Sequence, residues 1–170
     1  METTVGFIRT TLDDLQRSLD AVLDGLTQKE VNWQPTGTLN SIGLIAFHTA
    51  RSEDFFMQEL VRKQPQVWEK DAWFEKCELP KEERGRHYRA EQVKAFVSPE
   101  IGLLKAYSAS VRAHTLDYLT GLNAEEYSRV VTTPRGERPV SGFLSSIITH
   151  AAQHIGEMSY LRGLQRGLNQ

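Results

Sequence analysis

Apolar residues recur at every third or fourth position in four long stretches of the chain. In the first stretch this stripe runs from Ile8 through Leu12 and Leu19 to Leu26. A stripe at this spacing covers one face of a helix, and such a face is expected to pack against a core. The predicted helices cover residues 4–25, 42–62, 99–121 and 141–164.

Local signals support the ends of these helices. Gly25 follows the first helix, and Ser41 can cap the second. Ser98, Pro99 and Glu100 place a capping serine, a first-position proline and an acid at the start of the third helix. Helices of about 20 residues without any alternating strand pattern are typical of helical bundles. The sequence therefore predicts an all-α protein, a four-helix bundle.

The connections differ in length and chemistry. Thr27 and Glu30 have the capping-box spacing and predict a short helical turn, and Asn123 and Glu126 repeat that spacing after the third helix. Residues 132–139 contain two prolines and a glycine, so we expect a loop or a small hairpin there. Short connections therefore precede and follow a much longer one in the middle of the chain.

Residues 63–97 interrupt the periodicity and predict a long crossover between the second and third helices. Long connections are often lids or binding loops, and this one carries the aromatic residues Trp68, Trp73 and Phe74. The pattern favours aromatics that pin the crossover to the bundle. The alternative is a lid, in which they lie near the opening of a site.

Composition narrows the class of protein. A chain of 170 residues fits one domain, here residues 1–170, and the net charge of −2 offers no basic surface for nucleic acid. The lone Cys77 excludes an intramolecular disulfide and favours a reducing compartment. No signal-peptide pattern and no membrane-length apolar segment is present. We expect a cytoplasmic protein that binds neither membrane nor nucleic acid.

Polar residues occupy core-facing positions of the fourth predicted helix. His150, His154 and Glu157 lie about one turn apart on its apolar face, and His48 takes a similar position on the second helix. Buried polar groups need partners, because leaving them unpaired is costly. The sequence therefore predicts that the three histidines converge inside the protein.

Converging imidazoles are typical of a metal site. His150 and His154 are close enough on one helix to bind a single ion, with His48 as a third ligand. Three histidines leave coordination positions open, as in catalytic sites, where bound water is acidified or a thiol binds as thiolate. Imidazole does not select the ion, so zinc is expected from its availability, with nickel or iron as alternatives. The competing interpretation is three ordinary core histidines.

Glu157 has several interpretations. It can be a fourth ligand, an acceptor that orients a ligand, or the general base of a reaction, which makes it the candidate catalytic residue. It can also be a surface acid that pairs with Arg51 or Arg162. Glu53 and Asp54 point away from the His48 side of their helix, so we expect them to be solvated.

The other two histidines are not expected to join the site. His87 lies in the charged part of the crossover and is predicted to be exposed. No second histidine lies one turn away from His114, so a structural role is expected for it.

Three runs in a fixed order carry a family resemblance: LTQKEVNWQP at 26–35, NSIG at 40–43 followed by His48, and HAAQHIGE at 150–157. Together they resemble the DinB/YfiT-like superfamily over nearly the whole chain. The resemblance implies a DinB-type four-helix bundle with metal ligands at His48, His150 and His154. Many relatives have glutamine where this chain has Glu157, so chemistry known for other members transfers poorly to this position.

The resemblance also implies a class of function. Members are thought to be metalloenzymes, some branches being transferases or isomerases that depend on a low-molecular-weight thiol such as mycothiol or bacillithiol, and homodimers are common. Three hypotheses follow: a metal-dependent enzyme acting on a small molecule, as a thiol-dependent transferase or a hydrolase; a non-catalytic metal-binding or stress-related module; and a structural dimeric bundle.

Overall fold

Four long helices carry the apolar stripes described above. The computed structural model describes residues 1–167, which are mostly helical with one small two-stranded sheet. The elements are α1 (Glu2–Leu23), α2 (Gln28–Asn32), α3 (Ile42–Asp54), a π-helical segment (Phe55–Val61), α4 (Val67–Lys70), α5 (Trp73–Lys76), α6 (Ala90–Ala95), α7 (Ile101–Thr120), α8 (Ala124–Ser128), β1 (Val130–Thr133), β2 (Gly136–Pro139) and α9 (Val140–Arg166).

The core lies between the long helices. Helix α1 packs against α7 and α9, and α3 packs against the same two helices. One buried cluster surrounds Phe47 and Tyr107, and a second surrounds Leu12 and Leu144. Each fully buried side chain of this size contributes about 1.5–3 kcal/mol through the hydrophobic effect. The contact between α3 and α9 brings together the two helices that carry the candidate ligands.

Helix α3 approaches its neighbours closely at Gly43. A Cβ atom on this residue would lie 2.4 Å from Ser98 Oγ and 2.7 Å from Val31 Cγ1. Ser41 caps the helix by accepting a hydrogen bond from Leu44 N at 3.2 Å. Only glycine permits this approach, so the glycine of the NSIG run fixes α3, and with it His48, against α2 and the end of the crossover.

The second predicted helix and the start of the third differ from expectation. Residues 42–62 are α-helical only to Asp54 and continue in π-helical geometry to Val61. Helix α7 begins at Ile101 with Glu100 as its N-cap, so the predicted Ser98 cap is wrong. The Ser98 hydroxyl instead accepts a hydrogen bond from Gln28 Nε2 at 3.0 Å. The hydroxyl that the local sequence pattern assigned to capping α7 therefore takes part in a long-range contact with Gln28.

Other local predictions are confirmed. Thr27 and Glu30 form a complete capping box at α2, and Asn123 caps α8 by accepting from Glu126 N. The predicted hairpin is present as antiparallel β1 and β2, with Val130 opposite Pro139. It leads directly into α9, whose N-cap is Pro139.

The crossover is anchored by its aromatic residues. Trp68 is fully buried and Trp73 is 8% exposed, both in the core, and Phe74 packs against the same cluster. Asp54 accepts hydrogen bonds from Val67 N at 2.8 Å and Trp68 N at 2.9 Å, which fixes the first turn of α4. These aromatics therefore pin the crossover, and the expectation that they lie near the opening of a site is wrong.

Two acids on α3 are buried, which contradicts their prediction as surface charges. Glu53 is 6% exposed and Asp54 is fully buried. Glu53 receives two hydrogen bonds from Arg112, at 2.7 and 3.1 Å. The prediction assumed that residues pointing away from His48 face solvent. It failed because almost every residue of α3 is buried, so its charged side chains are paired inside the protein.

Hydropathy adds one finding about the helices. Within the described part of the chain, none is both long and apolar enough to span a bilayer.

Candidate metal centre

Three histidine side chains meet between α3 and α9. The Nε2 atom of His150 lies 3.1 Å from Nε2 of His48 and 3.1 Å from Nε2 of His154. All three residues are partly buried. The predicted convergence is therefore confirmed, and these residues form the one group of metal-binding type found within residues 1–167.

The second ring nitrogens of two histidines are held by acceptors. His48 Nδ1 lies 2.7 Å from the carbonyl oxygen of Gly85, and His154 Nδ1 lies 2.8 Å from Glu157 Oε2. A carbonyl and an ionised carboxylate only accept hydrogen bonds, so each Nδ1 carries the proton. The Nε2 atoms of His48 and His154 consequently present lone pairs to the centre of the group.

The two contacts of His150 Nε2 cannot both be hydrogen bonds. A neutral His150 has at most one Nε2 proton to donate, yet two Nε2 lone pairs face it. Metal–nitrogen bonds of about 2.0–2.1 Å would separate neighbouring ligand nitrogens by about 2.9 Å at right angles and about 3.4 Å in a tetrahedron. The observed distances of 3.1 Å lie between these values. The donor set therefore fits a divalent transition metal.

Burial favours the neutral form of His48 and His150. Removal from water lowers the pKa of His48, and the neighbouring His154 and Arg86 lower it further, against the Gly85 hydrogen bond. Burial, His154 and His48 lower the pKa of His150 to about 4. A metal binds only the unprotonated nitrogen, so His48 and His150 are ready to bind without losing a proton at neutral pH.

Glu157 lies at the edge of the group. Its side chain is 54% exposed, and one carboxylate oxygen is engaged by His154 Nδ1. The arginines considered as its partners are engaged elsewhere: Arg51 with Asp54, and Arg162 with backbone carbonyls at the end of α1. Of the roles left open by the sequence, the contact formed is that of an acceptor that orients His154.

A cavity of about 240 Å³ opens onto the histidines. His48 and His154 form part of its wall, and the crossover supplies another part. The crossover residues are Gly85, Arg86, His87, Tyr88 and Val93. His87 is exposed, as predicted, while His114 lies 3.8 Å from Asp71 and outside this cavity.

The crossover residues of this wall were missed from the sequence. Gly85 has a left-handed φ of 65°, and a Cβ there would lie 3.0 Å from Arg51 Cγ. Gly85 contributes a backbone carbonyl to the site, and because every residue has one, the residue type does not reveal this role. The only available signal was a glycine between charged residues and a histidine, which is too common to identify a site.

Comparison with known proteins identifies relatives of this chain. A family model described as the DinB superfamily matches residues 11–158, a range that contains all three histidines. The crystal structure of a conserved protein from Enterococcus faecalis aligns with a TM-score of 0.84 at 28% sequence identity. The alignment covers 96% of this chain and 97% of that chain. No curated protein matches.

Proposed function

This chain belongs to the DinB superfamily, and from that premise we propose that it is a metal-dependent enzyme whose divalent ion is held by His48, His150 and His154. The observation that carries the proposal is the convergence of three Nε2 atoms at a shared centre. Hydrogen bonds to Gly85 and Glu157 direct two of these atoms inward. Ordinary core histidines need no such alignment.

Zinc is the proposed ion, with nickel or iron as the alternatives, because imidazole ligands accept all three. When bound, a divalent ion supplies Lewis acidity at the positions that three protein ligands leave open. The residues of the chain supply orientation. Gly85 holds the Nδ1 proton of His48, and Glu157 holds that of His154, so that each Nε2 is directed inward.

We propose a small molecule as the substrate, bound in the cavity beside His48 and His154. The reaction class is a transfer that uses a low-molecular-weight thiol, or a hydrolysis. The carboxylate of Glu157 is half exposed, with one oxygen engaged by His154. It is the proposed proton acceptor at the solvent side of the group.

A second candidate is a non-catalytic metal-binding or stress-related protein. The size of the cavity favours it, because about 240 Å³ is below the roughly 300–1,000 Å³ usual for ligand pockets. An activity screen of metal-loaded protein, with and without candidate thiols, separates the two. Turnover that requires both metal and thiol supports the transferase, and metal binding without turnover supports the second candidate.

For the architecture, we propose one domain with a DinB-type four-helix bundle made of α1, α3 with its π-helical continuation, α7 and α9. Its support is the packing of α1 and α3 against both α7 and α9. We also propose a cytoplasmic homodimer that binds neither nucleic acid nor membranes, from the family and from the net charge of −2. Light scattering of the purified protein tests the dimer.

Metal analysis of protein purified without a histidine tag tests the proposed site. The expected result is about one equivalent of a divalent transition metal per chain, either as purified or after reconstitution. The control is His114→Ala, which changes a histidine outside the group and should leave the metal content unchanged. A parent protein that takes up no metal after reconstitution would leave only the structural interpretation.

A further inference from the structure

A short segment of the crossover, residues 83–85, contacts α3 at two points. The backbone carbonyl of Glu83 accepts a hydrogen bond from Arg51 Nε at 3.2 Å, and the carbonyl of Gly85 accepts one from His48 Nδ1 at 2.7 Å. His48 and Arg51 are three residues apart on one helix, so their side chains are neighbours on its surface. The segment therefore bridges one turn of α3 and reaches the three-histidine group at His48.

The side chain of Glu83 closes this segment into a turn. Its Oε1 atom accepts hydrogen bonds from Gly85 N and from Tyr88 Oη, both at 2.8 Å. Gly85 is buried and Glu83 is partly buried, so these bonds are shielded from water. A single carboxylate oxygen therefore holds the residue whose carbonyl contacts His48.

Tyr88 holds the carboxylate of Glu83 from the cavity wall. Burial raises the pKa of its hydroxyl, and the hydrogen bond and charge of Glu83 raise it further, so the hydroxyl keeps its proton and donates. The Tyr88 ring packs against Phe96, with centroids 5.6 Å apart, and lines the cavity beside His48. Glu83 is thus fixed by a donor whose own position is set by packing.

Gly85 needs such a restraint, because its backbone is intrinsically free. Glycine adopts left-handed and right-handed φ with similar ease, and Gly85 has a φ of 65°. A side chain that would restrict the backbone is disfavoured here, since an added Cβ would lie 3.0 Å from Arg51 Cγ. The direction of the Gly85 carbonyl is therefore set by the contacts of the segment, and Glu83 supplies the one at Gly85 N.

We infer that Glu83 is a positioning residue of the site: through the Gly85 carbonyl it fixes His48 as the Nδ1–H tautomer and directs Nε2 towards the other two histidines. A neutral imidazole carries one N–H, and the partner of one nitrogen decides which nitrogen carries it. The consequence for metal affinity rests on the proposed metal site, where loss of an orienting partner costs roughly 10- to 100-fold. The consequence for the tautomer needs no metal.

The test reads the tautomer of His48 by ¹⁵N NMR of the metal-free, untagged protein at about pH 7.5, with its signals assigned by their absence in His48→Gln. The parent should show the Nδ1–H form. Glu83→Met keeps the length of the side chain but has no oxygen acceptor, so the Nε2–H form should appear and zinc affinity, measured by calorimetry, should fall roughly 10- to 100-fold. Glu83→Gln keeps an oxygen acceptor and should restore both the tautomer and most of the affinity.

Glu82→Met is the matched control, since Glu82 is an exposed neighbour that does not line the cavity beside the histidines. It should match the parent in tautomer and affinity. Hydrogen exchange of the Gly85 amide in the parent gives an answer without any variant, because its bond to Glu83 should protect it. An unprotected amide, or a His48 tautomer that is the same in the parent and Glu83→Met, would overturn the inference, as would Glu83→Gln behaving like Glu83→Met. A parent with the expected tautomer that takes up no zinc would overturn the metal site and leave the role of Glu83 standing.

Discussion

His154 is the residue whose environment says most about the chemistry of the group. One ring nitrogen faces Nε2 of His150 at 3.1 Å, and the other faces Glu157 at 2.8 Å. The carboxylate fixes the tautomer of His154 and places a negative charge beside its ring. The contact that Glu157 forms is therefore with His154, and any contact with a substrate would be additional to it.

Glu157→Gln should separate these roles. The amide oxygen can still accept from His154 Nδ1, but the negative charge is lost, so metal affinity should fall by roughly tenfold. Turnover, if the protein is an enzyme, should fall further when Glu157 is also a base. Calorimetric metal titration measures the first effect. Glu125→Gln, an exposed acid on α8, is the control, and an unchanged affinity in Glu157→Gln would contradict the orienting role.

Acid should destabilise the metal-free protein through His150. Its folded pKa of about 4 lies below the unfolded value of about 6.5. Between these values the unfolded chain binds more protons, so the free energy of unfolding rises with pH. The stabilisation is therefore complete above about pH 6.5 and is lost as the pH falls towards 4.

Denaturant unfolding at a series of pH values measures this effect. The stability of the parent should decline more steeply through the window from about pH 6.5 to 4 than that of His150→Gln, which has no proton to take up at this position. Parallel curves for the two proteins would show that His150 does not titrate as described.

At the scale of elements, α3 is the helix that positions the site. Its approach to α2 and the crossover requires Gly43, where an added Cβ would lie 2.4 Å from Ser98 Oγ. Gly43→Ala should therefore lower the free energy of unfolding by about 1–3 kcal/mol, as overpacking does. Denaturant unfolding measures the loss.

Gly102→Ala on α7 is the matched control. A Cβ at Gly102 meets nothing within 4 Å, so the higher helix propensity of alanine should stabilise the protein by about 0.5–1 kcal/mol. If both substitutions have the same effect, helix propensity and not the close approach of α3 decides their outcome.

Asp54 makes the same helix the anchor of the crossover. The buried carboxylate accepts from Trp68 N and Tyr107 Oη and pairs with Arg51. Asp54→Ala leaves Arg51 without its charge partner, so the expected loss of stability is about 3–5 kcal/mol. Native-state hydrogen exchange should localise the opening to α4. Unchanged protection at Val67 and Trp68 would show that the anchor lies elsewhere.

The long helices could be predicted from the sequence because their stripes repeat over several turns. Their boundaries fell within a few residues for α1, α7 and α9. Failures came where a distant partner decided the outcome. Ser98 bonds Gln28 instead of capping α7, and Asp54 bonds the crossover instead of water. Local patterns carry no information about such partners.

For the whole molecule, the prediction from sequence found the three histidines that converge but not the cavity beside them. The three histidines were found because each interrupts an apolar face. The part of the cavity wall formed by Gly85 and Arg86 was not predicted, because Gly85 contacts His48 through a backbone carbonyl from 37 residues away. The crossover is thus held in the core by Trp68 and Trp73, and it forms part of the cavity wall with Gly85 and Arg86.

The central claim is that α3 and α9 share one metal ion, and metal titration of single variants tests it most directly. Calorimetry at pH 7.0 or above compares untagged parent with His48→Ala, His150→Ala, His154→Ala and the control His114→Ala. The parent and the control should bind one equivalent of zinc. Their free energy of unfolding should then rise by RT ln(1 + [L]/Kd), which raises the thermal midpoint. Each of the other three should bind far more weakly and gain little. Equal affinity in all five proteins would contradict the account.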